Sequence, residues 1–246
     1  MNLNIEKKHI LYAFVFPVFF IAVLWLVWAV ENAIGADWSS LGVYPRETDG
    51  LLGIITSPLI HANATHLFSN SVPLLILGWC LFYFYRDLGY GVFPILWIFS
   101  GIFTWTFGRY SWHIGASGLV YSLTFFLFFS GIFRRYIPLM AVSMMIVFLY
   151  GSTVWGMFPV AEYVDPTISW EGHFSGAISG FLCALIFRKK GPQKPERKEE
   201  EDDDEIEEEE AAEDVSDEKD EGVIHHHHHH EGIIHHHHNN NNSSDK

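Results

Sequence analysis

Charge is scarce over the first three quarters of this 246-residue chain. Residues 1–187 hold 9 acids and 7 bases, a net of −2, while residues 188–246 hold 20 acids and 8 bases and so carry most of the overall −14. Soluble core helices alternate apolar and polar sides, and the long apolar runs here largely do not, which argues against a soluble domain. Cysteine is rare too: Cys80 and Cys183 both sit inside apolar runs. They read as small apolar residues, and no disulfide framework follows from two such positions. No small-residue cleavage site follows the first apolar run, whose core is also too long for a signal peptide. Nothing calls for a nucleic-acid partner or a cofactor.

What is present is a series of charge-free segments. About 20 apolar residues cross a bilayer as helix. Ile10–Val30, Leu67–Tyr85, Gly91–Gly108, Ile114–Phe133 and Tyr136–Ala161 fit, and Gly172–Phe187 is shorter but uncharged. The expected fold is all-α: a polytopic bundle of six transmembrane helices over residues 1–190. Lys and Arg mark the cytoplasmic side. Lys7, Lys8, Arg86, Arg134, Arg135 and the basic cluster after the sixth run lie on one side, and only Arg46 and Arg109 on the other. Both ends are therefore expected in the cytoplasm, and runs two, four and six start at the outer face. The first outer loop, Glu31 to about Thr65, contains the apolar stretch Leu51–Ile60, too short to cross; it either lies at the interface or packs on the bundle. In the last outer loop, Pro166 and its neighbours predict irregular backbone.

Residues 191–246 are a different material. "EEEDDDEIEEEE" buries no apolar area and is expected to be disordered. "EGVIHHHHHH" and "EGIIHHHH" follow as a diverged duplicate. Their imperfection favours natural low complexity over an added tag. The first expectation is a solvated segment with no specific ligand; weak divalent-metal binding by the His tracts is the second.

Polar groups inside a membrane are rare and default to function. Measured up from the inner arginine that closes each even run, Asn70, Ser117 and His173 stand at about 24, 26 and 23 Å for a rise of about 1.5 Å per residue. Three polar residues on three helices thus share one level below the outer surface, with His66 one turn above Asn70 on the same face. Taken singly, each reads as interhelical glue; together they read as a site. A serine needs a base to act as nucleophile, and His is the usual one. Ser117 and His173 form that pair if runs four and six approach closely. Gly172, Gly176 and Gly180 give run six a small-residue face that allows it. Gly115 and Gly118 relax the backbone around Ser117. No Asp or Glu falls in runs two, four or six to complete a triad. Tyr121, one turn from Ser117, is placed to pack on His173. An oxyanion would be met by backbone N–H groups at the start of run four and by Asn70 and His66.

The motifs "HANATHLFSN", "GASG" and "GHFSGAISG" on runs two, four and six resemble those of the rhomboid intramembrane serine proteases, over roughly Ile10–Phe187. The resemblance implies Ser117 as nucleophile, His173 as its base, His66 and Asn70 in the oxyanion hole, and His61 as a supporting residue. It implies hydrolysis of peptide bonds in or near transmembrane segments of membrane-protein substrates, with small side chains before the cut. It implies a last outer loop that caps the site, and a multi-pass location, in a bacterium the inner membrane. The Trp-Arg pair often found in the family's first outer loop is replaced by "VYPRETDG". Two other readings remain: a catalytically silent relative that binds membrane-protein clients, and a metal transporter with a His-rich sensor. The first is disfavoured because Ser and His are both kept. The second is disfavoured because no acidic or His pair reaches the inner half of any run.

Overall fold

The computed structural model describes residues 3–160 and 168–195, and this part is helical with no named strand. The main helices are α1 (Leu3–Ile34), α2 (Ala64–Tyr85), α3 (Asp87–Phe107), α4 (Ser117–Arg134), α5 (Ile137–Tyr150) and α6 (Trp170–Ile186). Four of them, α1 to α4, are long and apolar enough to cross a bilayer. The protein is a multi-pass membrane protein. The 14 residues of α5 span only about 21 Å at 1.5 Å each, short of a hydrocarbon layer about 30 Å thick.

Helix boundaries differ from the hydropathy reading for local reasons. The first helix runs on past Val30 until Gly35, where φ is +62° and the Gly35 N–H returns to the Asn32 carbonyl. The second starts at Ala64, because Asn63 caps it by accepting the His66 N–H. The third begins at Asp87, immediately after Arg86, whose φ of +47° breaks the chain direction. The fourth starts at Ser117 rather than Ile114, since Gly115 has φ +105° and cannot be helical. The fifth stops at Tyr150; Gly151–Met157 tighten into a 3₁₀ segment in place of the expected run to Ala161. The sixth starts two residues early, at Trp170, with Ser169 as its cap. This corrects the expectation that no carboxylate lies in that helix, for Glu171 stands buried in its first turn.

The core centres on α4, which packs against α2, α3, α5 and α6. Leu119, Leu123, Phe126 and Leu127 on it are almost wholly buried. Lipid tails are as apolar as leucine, so close packing and hydrogen bonds rather than the hydrophobic effect hold helices together. The α4–α6 contact is the most extensive, and it is close. A Cβ on Gly176 would stand 2.1 Å from the Gly118 carbonyl oxygen, and one on Gly180 2.3 Å from that of Ser122. At the end of α4 away from Ser117, the buried Arg134 guanidinium donates to the carbonyls of Phe187 and Lys190 at 2.7 and 2.8 Å, tying α4 to the end of α6. Leu11, Val15, Val18, Phe19 and Leu26 on α1 face outward, as lipid-facing residues do.

The stretch Leu51–Ile60 packs on the bundle. It forms one α-helical turn (Gly53–Thr56) against α3 and a 3₁₀ turn (Ser57–Leu59) against α1 and α4. Trp97 donates its indole N–H to the Ile55 carbonyl at 3.1 Å, and Trp105 to that of Glu47 at 2.9 Å. Most of the last outer loop and the tail from Glu196 lie outside the described residues.

Candidate active site

Ser117 is the first residue of α4, and His173 stands in the first turns of α6. The Ser117 hydroxyl lies 2.9 Å from His173 Nε2. On the other side of the ring, Nδ1 lies 2.8 Å from the Gly156 carbonyl oxygen. A carbonyl only accepts, so Nδ1 carries the proton and Nε2 presents its lone pair to Ser117. The Ser117 O–H therefore donates to Nε2, the polarity a general base needs. The Tyr121 ring is stacked on the imidazole.

A cavity of about 670 Å³ opens over this pair. Ser117, His173, His66, Asn70 and Tyr121 all line it, so five residues chosen from the sequence meet in one space. Asn70 is buried, and its Nδ2 donor has no protein partner among the described residues. The first N–H groups of a helix are likewise without intrahelical acceptors and sit at its positive end. For α4 these begin at Ser117, the first intrahelical bond being Val120 N–H to the Ala116 carbonyl.

Gly115, Gly118 and His61 lie outside that cavity lining. Gly115 holds φ +105°, and a Cβ there would stand 2.6 Å from His66 Cε1. Only glycine lets the His66 ring lie directly on the backbone that leads into Ser117. A Cβ on Gly118 would meet the Ser100 hydroxyl at 2.7 Å. His61 is buried behind the site, its ring 5.0 Å from that of His66 and its Nε2 accepting the Ala116 N–H at 3.3 Å. Burial, aided by the neighbouring His66, pushes the His61 pKa down to about 4, so the ring is neutral, as an acceptor must be. His113, in the loop before α4, is also pushed below the ordinary imidazole value by burial.

Three contributors were not singled out as site residues from the sequence. Gly156 acts through its carbonyl, which no side-chain pattern reports, and it fell inside the expected fifth span. Ser169 had a readable signal: a serine just before an apolar run, with Glu171 in the first turn, marks a helix start. His113 was one of only five histidines outside the tail but belonged to no motif. Glu171 pairs with Arg109, its Oε1 3.7 Å from Nε. Among the described residues no group of three or more His, Cys, Asp or Glu side chains is placed to hold a metal ion. The His tracts that raise the divalent-metal expectation lie outside the described residues.

A helical membrane bundle in which a serine and a histidine from two helices meet at one cavity defines the class. The family profile described as Rhomboid domain matches residues 48–190. The chain belongs to the rhomboid family. It is 35% identical over 185 residues to the Mycobacterium tuberculosis protein named "Uncharacterized protein Rv1337", covering 73% of this chain and 75% of that one. It is 34% identical over 186 residues to ML1171 of Mycobacterium leprae, covering 73% and 71%. It is 29% identical over 189 residues to a Bacillus subtilis protein named "Putative rhomboid protease YdcA", covering 72% and 87%.

Proposed function

We propose that this protein is an intramembrane serine endopeptidase that cuts peptide bonds in or near transmembrane segments of other membrane proteins. The observation that carries the reading is the directed chain from Ser117 to His173 Nε2 and from His173 Nδ1 to the Gly156 carbonyl. Ser117 Oγ attacks the scissile carbonyl carbon while His173 Nε2 takes its proton. The tetrahedral oxyanion is met by the Ser117 backbone N–H, the Asn70 amide and a ring N–H of His66. Each such donor is worth about 2.7–4 kcal/mol in comparable sites. The imidazolium then protonates the leaving amine, and the acyl-enzyme is hydrolysed by water activated through the same nitrogen. A carbonyl replaces the carboxylate of a triad here. It fixes the tautomer without placing a charge in the membrane, where a carboxylate is costly.

The substrates are membrane-protein segments with small side chains before the cut, reaching the site from the bilayer. Both chain ends face the cytoplasm, and the site opens toward the outer face of a bacterial inner membrane. The test is cleavage of a transmembrane reporter by purified protein in detergent, beside Ser117→Ala. Cleavage lost in the variant, together with fluorophosphonate labelling at Ser117, supports the reading. Equal cleavage by both proteins removes Ser117 as nucleophile.

A further inference from the structure

His113 and Ser169 repeat the spacing of Ser117 and His173, each four residues earlier: both pairs are 56 residues apart. His113 Nδ1 stands 2.6 Å from Ser169 Oγ. Its Nε2 lies 3.0 Å from the Arg109 carbonyl oxygen, which only accepts, so Nε2 carries the ring proton and Nδ1 is a bare acceptor. Ser169 therefore donates its hydroxyl hydrogen to Nδ1. Its oxygen still accepts the Gly172 N–H, 3.2 Å away. His113 is buried and Ser169 half-buried, and both line the cavity that holds Ser117 and His173.

Each of these residues is fixed in backbone that carries one member of the Ser117–His173 pair. His113 exchanges both main-chain bonds with Val43, at 2.9 and 2.8 Å. Between it and Ser117, the Gly115 N–H is held by the Ser57 carbonyl and the Ala116 N–H by His61. On the other side, Ser169 caps α6, and its carbonyl accepts the N–H of His173 itself at 3.2 Å. The glycine contacts lower down set how closely α4 and α6 lie, but a smooth small-residue face resists sliding and rotation weakly. A directed bond at the top of the pair supplies what that face does not.

We propose that His113 and Ser169 are positioning residues for the Ser117–His173 pair, a polar clasp that fixes the height and rotation of the first turn of α6 against the nucleophile. The proposal rests on the serine-protease reading. Arg109 ties the same two segments independently, through the Ile168 carbonyl at 3.2 Å and through Glu171, so variants of the clasp are expected to fold.

The experiment uses the full chain in detergent with the transmembrane reporter, reading kcat, KM, the fluorophosphonate labelling rate and the melting temperature. His113→Gln keeps a donor toward Arg109 but loses the acceptor for Ser169. His113→Asn places its side-chain oxygen near the position of Nδ1. Misplacing reacting groups by ångströms lowers rate steeply, so kcat and labelling rate fall about tenfold or more in His113→Gln and Ser169→Ala, with KM within about twofold. His113→Asn and Ser169→Thr recover most of the loss. The double variant His113→Gln/Ser169→Ala is no slower than the worse single one, as partners in one bond require. Wild-type kcat in a folded His113→Gln overturns the clasp. So does an equal fall in His113→Gln and His113→Asn that tracks melting temperature, or a fully additive double variant. Cleavage by Ser117→Ala equal to wild type overturns the protease reading instead, and the clasp with it.

Discussion

The Tyr121 ring lies flat on the His173 imidazole, their centroids 4.3 Å apart and their planes 8° from parallel. Together with the Gly156 carbonyl at its edge, this leaves the imidazole little freedom of rotation. Aromatic pairs of this kind contribute about 0.5–1.5 kcal/mol beyond their burial. Tyr121→Phe keeps the stacked face and is expected to retain most of the cleavage rate. Tyr121→Ala frees the ring, and kcat should drop about tenfold, since about 1.4 kcal/mol is one decade of rate. Side-by-side kinetics on the two variants check it; equal losses would assign the effect to the hydroxyl instead of the stack.

A Cβ added at Gly156 would stand 2.4 Å from the Tyr121 hydroxyl and 3.4 Å from His173 Nδ1. Gly156→Ala must therefore move either the carbonyl or the tyrosine, and both hold the base. Cleavage should fall at least tenfold, by the cost of misplacing a base, with melting temperature little changed because the 3₁₀ segment is peripheral. A parallel measurement of turnover and thermal unfolding decides it. A melting-temperature loss matching the activity loss would mean that Gly156 serves folding.

The membrane class and the meeting of Ser117, His173, His66, Asn70 and Tyr121 were legible in the sequence for one reason. Polar residues in apolar runs are few, and a helix converts their spacing into depth. What the runs did not give was main-chain chemistry. The Gly156 carbonyl leaves no trace in side-chain identity, and hydropathy carries straight through Gly151 although the helix ends there. Glu171 falls just outside the sixth apolar run because a carboxylate lowers local hydropathy, yet capping by Ser169 extends α6 to include it. Hydropathy alone allows two placements for Leu51–Ile60, since Leu51, Leu52 and Ile55 suit lipid while Gly53 and Ile54 suit a close protein contact. Both hold at once, because the turn buries one side on α3 and shows the other.

Two glycines predict opposite signs of stability change. At Gly180 a methyl would meet the Ser122 carbonyl at 2.3 Å and the Phe126 nitrogen at 2.8 Å, all backbone that cannot yield cheaply. Gly180→Ala should destabilise by about 1–3 kcal/mol, the usual range for overpacking. At Gly91, inside α3, nothing lies within 4 Å of the added carbon. Gly91→Ala should instead stabilise by up to about 1 kcal/mol through helix propensity. Thermal unfolding in detergent reads both; a Gly180→Ala variant as stable as wild type would refute the close-contact account of the α4–α6 face, and a destabilised Gly91→Ala the open-space account of Gly91.

His61 gives the fold an acid limit. In the folded state its pKa is held at about 4, by burial first and by His66 second, against 6.5 when free. Between those values the unfolded chain binds a proton that the folded chain refuses. Stability from this group is therefore complete above about pH 6.5 and is lost as pH falls toward 4. Over that interval the loss reaches about 3 kcal/mol, at about 1.4 kcal/mol per pH unit. Protonation would also set two donors against each other one residue before Ser117, because the Ala116 N–H uses the bare Nε2 lone pair as its acceptor. His61→Gln keeps an acceptor near that position and does not titrate. Its melting temperature should fall less than that of the wild type between pH 7 and pH 4.5, even if it starts lower at pH 7. Parallel curves for the two proteins across that range would show that His61 is not the group responsible.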